Sequence, residues 1–341
     1  MGKTHRVAII GCGRTGKLHA KGYLAEPRCQ VVALADIDRA KAAALAKAHG
    51  SGAAIHADYK AMLAAEKPDL VSICLWTKQH LPAIRDCIEA GVRAIHCEKP
   101  MAPTWGEAQE IAAIAGAWGA RVTFSHQRRF APSYARAREL LHGGQLGELE
   151  RIEAYNPANI LDWGTHTVDL VNMYNKETPA RWVMAQLDAR EVKKWFDIPF
   201  EFALVASVRF ENGVRAIFHS GDDNEFPQGI RLVASRGVIE LRGESKLRWL
   251  RYGTGIWEEV DFHTGPTDHS PIAIGGVVKN LIDTLESGQE PELSLDRALR
   301  GTEIIFAIYE SCRRRARVDL PLQIPDNPFI AMLEGGVLGK G

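Results

Sequence analysis

Residues 6–16 of the 341-residue chain read RVAIIGCGRTG, and residues 31–36 read VVALAD. Each stretch contains a run of apolar residues rich in β-branched side chains, which is typical of a strand buried on both faces of a parallel sheet. The first run leads into a Gly-x-Gly-x-x-Gly motif formed by Gly11, Gly13 and Gly16, and a helical pattern follows it. The second run ends at Asp36. This order of strand, glycine turn, helix, strand and acidic residue predicts a dinucleotide-binding unit.

The three glycines and the aspartate each have a distinct physical task in such a unit. Gly11 allows a tight turn, Gly13 lets the backbone approach a pyrophosphate, and Gly16 lets the helix pack closely. Asp36 accepts hydrogen bonds from ribose hydroxyls and repels a 2′-phosphate, so we expect NAD rather than NADP. Arg39 lies near enough to keep NADP as an alternative. The competing interpretation is a purely structural turn, with Asp36 serving only to cap the next helix.

The rest of the chain indicates two domains. In residues 1–125, strands alternate with helices, which predicts an α/β Rossmann domain with a doubly wound parallel sheet. Its further strands are predicted at 69–75, 94–97 and 122–125, and its helices at 14–26, 38–49, 58–66, 80–90 and 104–118. In residues 126–341, eight strands with short connections predict an α+β domain with a large, mostly antiparallel open sheet. Its strands are predicted at 149–155, 181–190, 202–210, 214–220, 230–234, 237–241, 246–251 and 256–260, and its helices at 132–142, 163–174, 271–287 and 295–314.

Composition narrows the class of partner. Lysine plus arginine equals aspartate plus glutamate at 42 each, so the chain has no basic excess to bind nucleic acid or an anionic membrane. No apolar run is long enough to span a bilayer, and no signal peptide is evident, so a cytoplasmic protein is expected. The six cysteines form no Cys-x-x-Cys pair, and the histidines show no metal-ligand spacing, so we expect a reducing compartment and no metal.

Three residues form the predicted catalytic set. Lys99 directly follows a predicted strand and therefore lies at the carboxyl edge of the parallel sheet, where such folds bind ligands. Asp162 and His166 are four residues apart around a predicted helix start, so their side chains share one face. Each has a structural alternative: Lys99 as a solvated lysine, Asp162 as a helix N-cap, and His166 as a core side chain paired with Asp169.

These motifs together resemble the glucose–fructose oxidoreductase, inositol dehydrogenase and rhizopine-catabolism family, known as Gfo/Idh/MocA. The resemblance covers essentially the whole chain. The stretches that carry it are GCGRTG at 11–16, Asp36, TKQHLPAI at 77–84, EKP at 98–100, HQRRF at 126–130, LGEL at 146–149, DWGTHTVDL at 162–170 and ALRGTEIIFAIYESCRRRARVDLPL at 298–322.

The resemblance implies roles for these residues. His166 would accept the proton of a secondary alcohol, Lys99 would hydrogen-bond the reacting oxygen, and Asp162 would orient its neighbours. The implied substrate contacts are Arg128 and Trp163, although the choice between Arg128 and Arg129 stays open. The implied cofactor contacts are Gly11, Gly13, Arg14, Thr15, Gly16, Asp36, Ile37, Trp76, His80, Glu98 and Lys99.

The expected function is an NAD-dependent dehydrogenase of a sugar, cyclic polyol or anhydrosugar. The alternatives are an NAD-dependent glycosidase or lyase that acts through a transient 3-keto sugar, and a dinucleotide-binding regulator without turnover. Relatives usually form dimers or tetramers through the open face of the second domain's sheet, so a homo-oligomer is expected.

The chain departs from the family pattern before Asp162. Many relatives insert a longer, glycine-rich stretch there, whereas only residues 156–161 intervene in this chain. We therefore expect a more open active site, or one completed by another segment or subunit. The aromatic residues Trp195, Phe196 and Phe226, in or beside the loops at 197–199 and 222–227, are candidates for its entrance.

Overall fold

The computed structural model describes residues 4–221, 228–263 and 271–338, so the expected entrance loop at 222–227 with Phe226 lies outside the described residues. The chain forms two compact units. The first comprises residues 1–103, 107–127 and 271–299, and the second comprises 104–106, 128–270 and 300–341.

The first unit contains a six-stranded sheet whose pairings are all parallel. Its strands are β1 (His5–Ile10), β2 (Cys29–Ala35), β3 (Ala54–His56), β4 (Leu70–Ile73), β5 (Ala94–Cys97) and β6 (Arg121–Phe124), and the helices that follow them are α1 (Arg14–Ala25), α2 (Arg39–His49), α3 (Tyr59–Glu66), α4 (His80–Glu89) and α5 (Trp105–Trp118). The strand order is β3-β2-β1-β4-β5-β6. This order confirms the predicted doubly wound Rossmann sheet, and it makes the carboxyl ends of β1 and β4 the point where the chain changes direction across the sheet.

The second unit contains a nine-stranded sheet and the helices that pack on it. The remaining elements of the chain are β7 (Leu149–Asn156), β8 (Ala180–Asp188), β9 (Lys193–Trp195), β10 (Ile198–Phe200), β11 (Ala203–Phe210), β12 (Arg215–Gly221), β13 (Gly229–Ala234), β14 (Gly237–Arg242), β15 (Lys246–Arg251), β16 (Trp257–Asp261), β17 (Val318–Asp319), α6 (Pro132–His142), α7 (Gly164–Tyr174), α8 (Pro271–Ser287), α9 (Leu295–Arg314) and α10 (Pro328–Glu334). The sheet order is β16-β15-β14-β13-β7-β12-β11-β8-β17. Neighbouring strands are antiparallel except β7 and β12, which pair in parallel, so the predicted mostly antiparallel sheet is confirmed.

Among the described residues, one face of this sheet is covered and the other is open. Helix α7 packs on β7, and each of its 11 residues is buried. Along β11 and β12 burial alternates as expected for a sheet with one covered face, and the side chains of Met184 and Val205 are 57% and 49% exposed on the other.

The structure differs from the sequence interpretation in several places. Helix α8, which the sequence assigned to the second domain, lies in the first unit, where Val278, Leu281 and Ile282 join the core beside α1. Strands β3 and β17 and helix α10 were not predicted. A separate two-stranded hairpin, β9 and β10, was also missed, because its turn uses the left-handed backbone at Phe196 and Asp197, which such residues seldom adopt.

Candidate functional site

The glycine turn after β1 is closely packed at two of its three glycines. Gly11 has φ of 91°, and a Cβ there would lie 2.4 Å from the carbonyl oxygen of Cys74. A Cβ on Gly16 would lie 2.0 Å from the carbonyl oxygen of Gly11, so only glycine lets α1 begin this close to the turn. At Gly13, by contrast, a Cβ would meet no atom within 4 Å. That space lies at the N-terminus of α1, where backbone N–H groups and the helix dipole favour an anion.

Asp36 is held in place by backbone donors. Its Oδ2 accepts from the N–H of Cys12 at 2.8 Å, and its Oδ1 accepts from the N–H of Asp38 at 2.9 Å. Each carboxylate oxygen has a second lone pair, so both keep capacity to accept from ribose hydroxyls. The N-cap of α2 is Asp38, whose side chain accepts from the N–H of Ala40. The competing interpretation of Asp36 as the helix cap is therefore wrong.

The other predicted cofactor residues differ in exposure. Arg14 is exposed and Thr15 is half-buried at the start of α1. Ile37 is 94% exposed beside Asp36, and Trp76 is 54% exposed after β4. Large apolar side chains left this open at the carboxyl edge of a Rossmann sheet are available to cover the flat faces of a dinucleotide.

His80 differs from these residues in its burial. It is completely buried, and its ring nitrogens lie 3.1 Å from the carbonyl oxygen of Leu75 and 3.3 Å from that of Met101. Burial lowers the pKa of His80, so the ring is neutral near pH 7. A neutral ring donates to only one of these two carbonyl oxygens, so His80 binds either the segment after β4 or the segment after Lys99, and its contact with a cofactor stays a prediction.

Glu98 belongs to a buried polar cluster that no sequence motif indicates. His19, on α1, places one ring nitrogen 2.7 Å from the Glu98 carboxylate and the other 2.6 Å from the hydroxyl of Ser72. Burial alone would raise the pKa of Glu98, but the hydrogen bond and charge of His19 lower it to about 2. Burial disfavours the charged form of His19, yet Cys74 and Glu98 together raise its pKa to about 10. An ion pair therefore fixes the residue that precedes Lys99.

Lys99 follows Glu98 directly beyond the carboxyl end of β5, as predicted, and is half-buried. Asp162 and His166 lie in the second unit at the start of α7, and both are buried. Asp162 precedes the first helical residue, Gly164, by two positions, and the choice between a catalytic and a helix-capping role for it stays a prediction. The backbone N–H of Asp162 donates to Oδ1 of Asn159 at 2.7 Å, and His166 lies in the first turn of the helix.

Arg129 is a structural residue. Its Nε and Nη2 each lie 2.8 Å from a carboxylate oxygen of Asp169, and its Nη1 lies 2.6 Å from Glu177. Burial would lower the pKa of Arg129, but the charges of Asp169 and Glu177 raise it. The pairing also shows that the Asp169 carboxylate binds Arg129, so the pairing of Asp169 with His166 alone does not account for this carboxylate.

Arg128 remains as the substrate candidate of the two arginines. It is buried, its guanidinium carbon lies 5.3 Å from the centre of the Trp163 ring, and its Nε lies 3.4 Å from the Glu244 carboxylate. Within the described part of the chain, its Nη1 is buried and has no hydrogen-bond partner. A buried N–H group without an acceptor is costly, so a ligand oxygen at this position would be stabilising. Glu244, in the turn between β14 and β15, had no recognisable sequence signal.

The described residues contain no group of three or more histidine, cysteine, aspartate or glutamate side chains placed to hold a metal ion. All six cysteines are free thiols, and four of them are buried. Among the helices of the described segments, none combines the length and the apolar character needed to cross a bilayer.

Comparison with known proteins agrees with this geometry. Residues 5–126 match the model of the GFO_IDH_MocA family, an oxidoreductase family with an NAD-binding Rossmann fold. The family resemblance seen in the sequence is thereby confirmed for residues 5–126, which match the NAD-binding domain of the Gfo/Idh/MocA oxidoreductases.

Two curated relatives match part of the chain. The D-glucoside 3-dehydrogenase of Escherichia coli K12 is 35% identical over 165 residues, which cover 48% of this chain and 46% of that protein. An inositol 2-dehydrogenase of Rhizobium meliloti 1021 is 32% identical over 149 residues, which cover 44% of each protein. The matched stretches thus span less than half of either relative.

The fold likeness extends over nearly the whole chain. A solved oxidoreductase from Agrobacterium radiobacter, in complex with NAD+, L-tartaric acid and magnesium, superposes with a TM-score of 0.81. The superposition covers 93% of this chain and 98% of that one, at 17% identity. It therefore supports the two-unit fold and carries no information about the substrate.

Proposed function

We propose that the protein is an NAD-dependent dehydrogenase that oxidises a secondary alcohol of a sugar or cyclic polyol. The observation that carries the proposal is the glycine turn, in which two glycines are required for packing while the third leaves space at a helix N-terminus. Gly13 is exposed where the backbone N–H groups of α1 begin, so a pyrophosphate can approach that backbone. The catalytic set Lys99, Asp162 and His166 then distinguishes an enzyme from a binding protein.

His166 is the proposed proton acceptor. An imidazole has an unperturbed pKa of about 6.5, which suits reversible proton transfer near neutrality. Lys99 hydrogen-bonds the reacting oxygen and stabilises its developing negative charge. Asp162, fixed through its backbone by Asn159, orients the groups around the alcohol. Bound NAD supplies the hydride acceptor at C4 of the nicotinamide.

NAD is the proposed cofactor in preference to NADP. The Asp36 carboxylate is fixed by two backbone N–H groups, so it cannot easily turn away from a 2′-phosphate. Arg39, the first residue of α2, is exposed. The carboxylate is therefore expected to dominate the choice.

The proposed substrate carries several hydroxyl groups on a ring. The relatives described above are named for the oxidation of a glucoside and of inositol, both of which fit this class. Arg128 and Glu244 together offer both a donor and an acceptor, which suits vicinal hydroxyls, and the half-buried Trp163 ring offers an apolar face. Because Glu244 balances the charge of Arg128, this pair favours a neutral sugar over a carboxylated one.

A homo-oligomer that buries the open face of the nine-stranded sheet is also proposed. Met184 and Val205 on this face are more exposed than apolar strand residues usually are. Light scattering at micromolar concentration checks the proposal: a monodisperse dimer or tetramer is expected, and a monodisperse monomer would overturn it.

The catalytic assignment is tested by single substitutions. Asp162→Asn and His166→Asn are each expected to lower kcat at least roughly a hundredfold while the dissociation constant for NADH stays within about twofold. Asn175, buried at the end of α7, provides a matched control through Asn175→Ala, because it lies outside the proposed catalytic set. Full activity of Asp162→Asn and His166→Asn would refute the assignment.

A further inference from the structure

The segment between β7 and Asp162 is short and unusually well held. Asn156, the last residue of β7, donates from its side-chain amide to the carbonyl oxygens of Ala158 and Asn159, at 2.6 Å and 3.1 Å. The hydroxyl of Ser220 on β12 donates to the carbonyl oxygen of Ala158 as well. These contacts come from neighbouring strands of one sheet, so the segment at 157–161 is fixed to the sheet rather than projecting from it.

A carboxylate from a distant part of the sequence completes this arrangement. Glu201, just before β11, is 1% exposed, and its Oε1 accepts from the backbone N–H of Ile160 at 2.7 Å. Its Oε2 accepts from the hydroxyl of Tyr309 on α9 at 2.6 Å. Burial and the charge of Glu201 raise the pKa of Tyr309 well above its usual value, so this hydroxyl stays a donor throughout the physiological range.

The restraint passes from Ile160 to the catalytic segment over two residues. Asn159, which precedes Ile160, accepts from the N–H of Asp162 through its side chain at 2.7 Å and from the N–H of Gly164 through its carbonyl oxygen at 2.9 Å. Any movement of the peptide between Asn159 and Ile160 therefore displaces the donors on both sides of Trp163. The position of Asp162 depends on this peptide because Asp162 precedes the helix and its backbone N–H donates to the side chain of Asn159.

We propose that Glu201 and Tyr309 are positioning residues that hold the Asn159–Ile160 peptide and, through it, Asp162. The inference rests on the proposed function, because holding Asp162 in place affects the reaction only if Asp162 is part of the catalytic site. A buried carboxylate is expensive unless it is satisfied, and hydrogen bonds to a charged acceptor are stronger than neutral ones. A carboxylate in this place thus exerts more restraint on one backbone N–H than an amide or hydroxyl would. The Glu201 carboxylate thereby fixes this short segment, which a longer loop could instead do through contacts among its own residues.

Hydrogen exchange measured by mass spectrometry tests the inference on the full-length protein. Glu201→Ala removes both acceptors, and exchange in residues 157–163 is expected to accelerate about tenfold or more. Glu201→Gln keeps an oxygen for Ile160 and places an amide donor beside the oxygen of Tyr309, so it should stay within about threefold of wild type. Tyr309→Phe keeps the ring that packs against Phe329 and loses only the hydroxyl, which makes it the second test if Glu201→Ala fails to fold.

Glu303→Ala is the matched control. Glu303 also lies on α9 and also accepts from a backbone N–H, that of Leu322 at 2.8 Å. Its removal should accelerate exchange near Leu322 and leave residues 157–163 unchanged. The same variants are assayed at 340 nm with NAD and with methyl β-D-glucoside and myo-inositol as probes.

The inference is supported if Glu201→Ala or Tyr309→Phe accelerates exchange in 157–163 and lowers kcat about tenfold, with KM for NAD unchanged and activity restored in Glu201→Gln. Unchanged exchange in both variants would overturn it, as would accelerated exchange with an unaltered kcat. Failure of the proposed function shows separately, as full activity of Asp162→Asn.

Discussion

Replacing Gly13 and Gly16 by alanine, one at a time, separates binding from folding within a single turn. A Cβ at position 16 would lie 2.0 Å from a backbone oxygen, about 1 Å inside the 3.0 Å limit below which such contacts are essentially never found. Overpacking against backbone of this kind costs about 1–3 kcal/mol or more. For a unit of this size, 1 kcal/mol shifts Tm by about 2–4 °C, so Gly16→Ala should lower Tm by roughly 3–10 °C.

Gly13→Ala should behave in the opposite way. Its Cβ meets no protein atom within 4 Å, so Tm without cofactor should stay within about 2 °C of wild type. The methyl group would occupy the space proposed for the pyrophosphate, and losing one hydrogen bond to a charged group costs about 1.5–3 kcal/mol. The dissociation constant for NADH should therefore rise roughly tenfold to a hundredfold.

Thermal unfolding, monitored by circular dichroism, measures Tm, and titration of NADH fluorescence measures the dissociation constant. Gly50→Ala is a useful third variant, because Gly50 ends α2 with φ of 59° and meets nothing within 4 Å. It should cost stability through its backbone conformation and leave NADH affinity unchanged. Wild-type NADH affinity in Gly13→Ala would show that Gly13 does not lie at the pyrophosphate, and a Tm loss equal to that of Gly16→Ala would show that Gly13 serves the packing of the turn.

Three further outcomes are expected. Arg129→Met leaves Asp169 buried without its bidentate partner and should destabilise the protein by about 3–5 kcal/mol, as measured by urea unfolding; a change below 1 kcal/mol would contradict the structural role given to this arginine. The His19–Glu98 pair should give a stability maximum in mildly acidic solution. Because the pKa of His19 is raised, the stability that His19 adds to the folded state is complete below about pH 6.5 and is lost as pH rises through about 10. Because the pKa of Glu98 is lowered, the stability that Glu98 adds is complete above about pH 4.5 and is lost as pH falls through about 2. His19→Gln should flatten the alkaline decline in Tm, and an unchanged decline would count against the pair. Asp36→Ser should reduce the preference for NAD over NADP at least roughly tenfold, measured as the ratio of the two kcat/KM values; an unchanged ratio would show that Asp36 does not select the cofactor.

The parts of the site that were predictable from sequence are those with local spacing. The turn from Gly11 to Gly16 and the acidic residue at 36 occupy consecutive elements, so their order along the chain nearly determines their geometry. The same holds for Lys99, because a residue just beyond a parallel strand must lie at the carboxyl edge.

Contacts between residues far apart in sequence were not predictable. Arg128 and Arg129 are adjacent in a short 3-10 turn, and only the positions of Asp169 and Glu244 show that one is paired bidentately while the other lies against Trp163. Neither Glu201 nor His19 belongs to a recognised motif, since each acts through partners more than 40 residues away. The amphipathic pattern of α8 indicates that one face of the helix is buried. It does not indicate which part of the chain covers that face, so the sequence could not assign α8 to the first unit.

Net dehydrogenation is tested most sharply by absorbance at 340 nm with NAD across inositols, aldoses, anhydrosugars and aryl glycosides, with product analysis on the same samples. We expect NADH to form in equal amount to a keto or lactone product, and this signal to be lost in His166→Asn. Release of an aglycone that requires NAD but accumulates no NADH would contradict net dehydrogenation and assign the site to redox-assisted glycoside cleavage. Binding of NAD with no turnover of any of these compounds would contradict the enzymatic assignment itself.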